Sequence, residues 1–161
     1  MISWNDGLLI GVKSIDDDHK NLLNIINKFS LAIDKNATDE EYKKIFNELD
    51  AHINEHLNRE EELLIKSAYE DFEYHQHLHQ GFVSKIPEIK DKFFSVNDYS
   101  DKKDIVVFLT DWLINHIINE DMKLISHFQK SGLIENDTNI ELSIKDKLLE
   151  FITTTVSFNK R

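Results

Sequence analysis

Apolar residues recur along this chain at intervals of three and four, and no alternating strand pattern lasts for long. Long amphipathic helices are therefore predicted. An irregular arm over about residues 1–15 leads into a first helix of about 16–35. The second starts at Thr38, where Thr38-Asp39-Glu40-Glu41 matches a capping box, and runs to about Lys66. The third covers about 71–94, with Pro87 as a kink or early stop. The fourth covers about 100–132 and ends at Gly132, a residue suited to a left-handed cap. Short linkers favour antiparallel neighbours, so the expected fold is all-α: an up-down-up-down antiparallel four-helix bundle with an N-terminal arm. Residues 139–156 read as an extra C-terminal helix. Ile144, Leu148, Phe151, Ile152 and Thr155 share one side of it and need burial against the bundle, a second copy or a partner protein. The expected division is a domain over 1–132 and a helical extension over 133–161.

The inward stripes carry more than apolar residues. The first reads His19, Leu22 or Leu23, Ile26, Phe29, and the second Ile45, Leu49, His52, His56, Glu60, Leu63. The third reads Phe72, His75, His79, Phe82, Ile86, Ile89, Phe93, and the fourth Leu109, Leu113, His116, Glu120 or Asp121, Leu124, Phe128. A spacing of four stacks two side chains one turn apart on the same helix face. Histidines and carboxylates thus fall where the pattern demands core. An unpaired ionised carboxylate there costs several kcal/mol, a large fraction of the stability of a domain. A bound cation offsets that cost by using the charges as ligands.

Composition narrows the chemistry. The 161 residues and 40% hydrophobic content suffice for one domain with a true core. Cysteine is absent, which excludes disulfides, thiolate zinc sites and iron–sulfur clusters. Any metal must bind through nitrogen and oxygen. A net charge of -11 argues against a nucleic-acid partner. The first residues lack the basic start and apolar run of a signal peptide, and no stretch approaches the roughly 20 apolar residues of a membrane span. A cytoplasmic location without membrane contact is the expectation.

A single histidine on an apolar stripe is ordinarily a hydrogen-bonded core residue. His52, His77 and His127 belong in that ordinary class. His77 points outward between His75 and His79, His127 suits the end of the fourth helix, and His52 suits a supporting hydrogen bond one turn before His56. Glu61, Glu62 and Glu120 read as a solvated face. Five histidines and two carboxylates spread over four helices at compatible depths do not reduce to chance: His19, His56, Glu60, His75, His79, His116 and Asp121. Seven donors exceed the four of a structural zinc site. They fit two adjacent octahedral first-row ions, with carboxylates bridging and one position open. Ferritin-like di-iron oxidases use Glu-x-x-His twice. That motif is missing here, and Asp16-Asp17-Asp18-His19 is the nearest approach.

These residues resemble the hemerythrin family, in particular its bacterial members. Trp4 and Gly11-Val12-Lys13-Ser14-Ile15-Asp16-Asp17-Asp18-His19 are similar to the family's opening motif. His56-Leu57-Asn58-Arg59-Glu60-Glu61 resembles its His-Phe-x-x-Glu-Glu. Tyr69 followed by His75-x-x-x-His79 resembles the third-helix signature, and Trp112-Leu113-x-x-His116-Ile117-x-x-x-Asp121 the last. The resemblance covers about residues 3–130. It implies two iron ions joined by an oxo or hydroxo bridge, one held by His75, His79 and His116, the other by His19 and His56, with Glu60 and Asp121 spanning both. It further implies reversible dioxygen binding, as carrier, store or sensor, beside a pocket walled by Leu113 and Trp112. An enzyme reducing peroxide or nitric oxide, or repairing iron centres, is the alternative. Non-enzymatic binding is preferred, since no general acid or base accompanies the motifs beyond the ligands.

Three departures stand out. Leu57 replaces the usual aromatic after the second-helix histidine, Leu64 stands where the family often has Met, and Ala68-Tyr69-Glu70 replaces Gly-Tyr-Pro. None removes a ligand.

Overall fold

A computed structural model describes residues 2–134. Six α-helices account for most of it: α1 (Lys13–Asp34), α2 (Asp39–Lys66), α3 (Phe72–Val83), α4 (Ile86–Ser95), α5 (Tyr99–Asn119) and α6 (Leu124–Lys130). Helix α1 packs on α2 and α5, while α2 packs on α3 and α4, and α4 packs on α5. The ring so closed is the expected four-helix bundle, with α3 and α4 together forming the third rod and α5 and α6 the fourth. The proposed helix over 139–156 lies outside the described residues.

Local chemistry explains most boundaries. At the start of α2 the capping box forms: Glu41 N donates to Thr38 Oγ1 at 3.3 Å, and Thr38 N donates to Glu41 Oε2 at 2.8 Å. Pro87 ends the third rod's first helix indirectly. It occupies the first turn of α4, where its missing N–H costs nothing, and α3 closes at Val83 just before it. Helix α1 begins at Lys13, three residues earlier than the pattern predicts. Asp16 explains the tidy approach: its carboxylate accepts from Ile10 N at 2.8 Å and Gly11 N at 3.1 Å, folding the arm back on the helix start. Gly11 turns the chain there at φ 89°. Farther out, Asn27 exchanges hydrogen bonds of 2.9 and 2.8 Å with the backbone of Ile2.

The fourth rod departs from expectation. It is not one helix to Gly132, because α5 stops at Asn119, a 3₁₀ turn carries Asp121–Lys123, and α6 follows. Gly132 does terminate α6, at φ 75°.

The core divides into two apolar clusters. The larger includes Leu22, Phe29, Phe46, Leu57, Phe93, Leu109, Leu113 and Ile117. Within it Phe29, Phe46 and Phe93 meet edge to face at 4.6 to 5.7 Å. The smaller gathers Ile10, Ile15, Leu64, Leu124, Ile125 and Phe128. In sequence, His19, Glu60 and Asp121 fall between residues of one cluster and residues of the other. A buried polar layer therefore separates two apolar ones.

Candidate metal centre

All seven positions singled out from the stripes are buried and meet in that layer. Helix α1 contributes His19, α2 contributes His56 and Glu60 one turn apart, α3 contributes His75 and His79 one turn apart, and α5 contributes His116. Asp121 comes from the 3₁₀ turn. On an unbroken helix, five residues would rotate Asp121 about 140° away from His116. The break after Asn119 turns it back, so that His116 Nε2 lies 3.0 Å from Asp121 Oδ1.

The donor atoms fall into two groups. Glu60, His75, His79, His116 and Asp121 form one, and His19, His56, Glu60 and Asp121 the other, each with its atoms within 4.8 Å of one another. The two carboxylates belong to both. Glu60 Oε1 lies 2.6 Å from His75 Nε2 and 3.4 Å from His79 Nε2, while its Oε2 lies 3.9 Å from His56 Nε2. Asp121 Oδ1 faces His116, and at 3.6 Å His75, while its Oδ2 lies 3.2 Å from His19 Nε2. Each carboxylate thus divides its two oxygens between the two groups.

Electrostatics set the state of these carboxylates. Burial and the neighbouring Asp121 charge oppose ionisation of Glu60, but the hydrogen bond from His75, with His79 and His56 close by, outweighs them, holding its carboxyl at about 2. Burial likewise opposes the Asp121 charge, and His116 and His19 overcome it, keeping Asp121 well below the usual carboxylate range. Two fully buried anions side by side call for a cation. The unsatisfied atoms say the same: both ring nitrogens of His19, Nδ1 of His56, Oε2 of Glu60 and both oxygens of Asp121 have no hydrogen-bond partner among the described residues. Nitrogen and oxygen donors without thiolate suit a first-row ion such as iron. The residues present therefore fit a bound metal ion.

The surroundings confirm some expectations and correct others. His77 is exposed, as its position on α3 predicts. His127 is half-buried and bonds Ser67 Oγ at 2.8 Å. His52 does not support the centre. Its side chain is 37% exposed and its nearest acid is Glu55, at 3.6 Å. Glu61 is no solvated residue either. It binds the outer nitrogen of His79 at 3.0 Å and accepts from Gln76 Nε2 at 2.7 Å. The heptad-like pattern hid it, because Glu61 lies about 100° around α2 from Glu60 and only the placement of α3 brings a histidine there. Asp18 approaches His56 Nδ1 at 3.8 Å and pairs with Arg59.

Leu113 and Trp112 pack as core. Leu113 is 4% exposed, and the Trp112 ring lies parallel to Phe82 at 3.3 Å and to His116 at 5.0 Å. Two surface recesses of about 300 and 360 Å³ lie elsewhere, one against Asp50, Val83 and Pro87, the other against Tyr69, Lys123 and His127. Among the described residues no helix is long and apolar enough to cross a membrane.

Comparison with known proteins agrees with this geometry. The family model of the hemerythrin HHE cation binding domain matches residues 10–128. A bacteriohemerythrin of Campylobacter jejuni is 30% identical over 133 residues, covering 81% of this chain and 92% of that protein. One from Clostridium acetobutylicum is 25% identical over 128 residues, covering 78% and 99%. A crystal structure of a hemerythrin mutant superposes with a TM-score of 0.66 at 27% identity, over 79% of this chain and 96% of that one. From the opening motif to Phe128, by sequence and by fold, the chain belongs to the hemerythrin family.

Proposed function

We propose that this protein holds two iron ions in the buried layer and binds dioxygen there reversibly. One observation carries the reading: Glu60 and Asp121 each turn one oxygen to a three-histidine group and the other to a two-histidine group. That arrangement suits a pair of ions bridged by both carboxylates. In this reading His75, His79 and His116 hold one ion, and His19 and His56 the other.

When bound, a ferrous pair supplies the two electrons that dioxygen accepts and returns. The chain's own residues do the rest. The two-histidine group has one donor fewer, so an outside ligand is accommodated on its side. Mostly neutral imidazole donors add little negative charge beyond the two carboxylates, which favours binding over further oxidation. Leu113 and Trp112 stand on the His116 side of the large apolar cluster, and we assign them to excluding water from the ligand's approach. Trp112 also holds the His116 ring flat against it.

The test is direct. The protein is loaded with ferrous iron under anaerobic conditions, its metal content measured, and its visible spectrum followed on exposure to oxygen and again under vacuum. Two irons per chain and a spectrum that appears and disappears support the reading. One tightly held zinc, or no retained iron, overturns the ion pair. An irreversible change on the first exposure overturns reversible binding and favours an enzyme acting on peroxide or nitric oxide.

A further inference from the structure

We propose that Glu61 is a positioning residue for the three-histidine side of the centre, acting through His79; this rests on the ion-pair reading above. The carboxylate has two partners and neither is a surface cation. Glu61 Oε1 lies 3.0 Å from His79 Nδ1, and Glu61 Oε2 accepts from the Gln76 amide at 2.7 Å. A carboxylate can only accept here, so His79 Nδ1 carries the proton and donates it. The lone pair of the ring then sits on Nε2, the atom that faces Glu60 Oε1 at 3.4 Å and His116 Nε2 at 3.1 Å. Glu61 thus selects the tautomer that a metal requires. It also makes the ring a stronger donor, because partial negative charge is shared through the hydrogen bond.

Gln76 completes the device. It sits one residue after His75 on α3 and anchors the second oxygen, so the carboxylate plane is held at both ends. The Glu61 side chain is only 19% exposed, which keeps water from competing for His79. Among the described residues, the other side of the centre lacks such an arrangement. Asp18 lies 3.8 Å from His56 Nδ1, too far for a hydrogen bond, and is engaged by Arg59. His19 Nδ1 has no partner among the described residues. Pre-orientation therefore falls on one side of the cluster, and the two ions should differ in how firmly they are held.

The experiment compares wild type with Glu61→Ala, Glu61→Gln and Glu62→Ala. Glu62 is the control, since it loses the same charge from the same helix but, among the described residues, pairs with exposed Lys66 alone. Each protein is loaded with ferrous iron anaerobically. Iron per chain is measured after gel filtration, together with the rate at which a ferrous chelator removes it, and the metal-free proteins are melted. Glu61→Ala should release one of its two irons about 10- to 100-fold faster than wild type. Glu61→Gln, which keeps an acceptor and the volume, should fall between, with metal-free melting close to wild type, and Glu62→Ala should match wild type. Release from both Glu61 variants within about twofold of wild type overturns the proposal. So does equal acceleration in Glu62→Ala, which would mark a general charge effect. So does a fall in metal-free melting of Glu61→Gln that parallels its iron loss, which would mark a merely structural contact. A wild type that retains no iron pair overturns the ion-pair reading itself, and the role of Glu61 with it.

Discussion

Glu60 and Leu113 are both buried, on α2 and α5, yet their removal should have opposite consequences. Glu60 presents one oxygen to each histidine group, so Glu60→Ala withdraws a donor and a negative charge from both sides at once. We expect that variant to retain less than one iron per chain after gel filtration. Leu113 contributes only shape. Leu113→Ala should cost about 2–5 kcal/mol in chemical denaturation, the usual range for a buried Leu→Ala change, while iron content stays at the wild-type level. Loss of bound dioxygen by irreversible oxidation should quicken, because water reaches the ligand more readily. If Leu113→Ala sheds iron as badly as Glu60→Ala, the assignment of Leu113 to the ligand's surroundings is wrong.

At the scale of elements, what could be read in advance divides by mechanism. The i, i+4 pairs His56/Glu60 and His75/His79 were legible because one turn of helix brings such residues together whatever the neighbours do. Thr38 and Glu41 were legible for the same local reason. The interruption after Asn119 was not, since Ile117-Ile118-Asn119-Glu120-Asp121-Met122 holds neither Gly nor Pro. Its evident role lies at long range: it swings Asp121 toward residues of α1, α3 and α5. Glu61 was hidden likewise, its role set by a helix of distant sequence. Ala68 shows a family departure becoming a backbone fact. It adopts φ 55° at the end of α2, in the place where the resemblance read from the sequence leads one to expect Gly. A left-handed alanine costs roughly 1–2 kcal/mol, partly offset by the lower entropy of its unfolded chain. Ala68→Gly should therefore stabilise the fold by about 0.5–1 kcal/mol in denaturant titration, with iron content unchanged. Asp16, which ties the arm to α1, sets a pH dependence. Burial raises its carboxyl above the ordinary value of 3.8, against the bonds from Ile10 and Gly11 that lower it. A raised value in the fold means that folding takes up a proton. The contribution is whole below the unfolded value and is lost as pH rises through the folded one. The stability advantage of wild type over Asp16→Ala should thus shrink as pH is raised from about 4 to 7. An advantage that grows over that range would reverse the assignment.

For the whole molecule, folding and metal binding are coupled at the polar layer in the proposed reading. The buried core is mostly apolar, yet two carboxylates and five imidazoles lie buried at its waist. Removing iron by reduction and chelation should lower the melting temperature by several degrees or more and speed hydrogen exchange in α2, α3 and α5. Reloading should restore both. The expected boundary at residue 132 can be tested by the same logic of burial. Leu133 N and Ile134 N both reach back to Phe128 O, at 2.9 and 3.3 Å, after Gly132 turns the chain. Ile134 packs against the smaller apolar cluster, 3.4 Å from where a side chain on Gly11 would begin. Among the described residues, packing against the arm thus runs to Ile134, two residues past the expected boundary at 132. Chains ending at Ile134 and at Gly132 should separate these effects. The longer should load iron and show the oxygen-dependent spectrum of the full protein. The shorter loses the cover over the arm and should be less stable by about 1–2 kcal/mol, the worth of one part-buried isoleucine, while its spectrum survives. Equal stability of the two would remove Ile134 from the fold's edge. Loss of iron from the chain ending at Ile134 would mean that residues 135–161 support the centre itself, and that no boundary belongs between them.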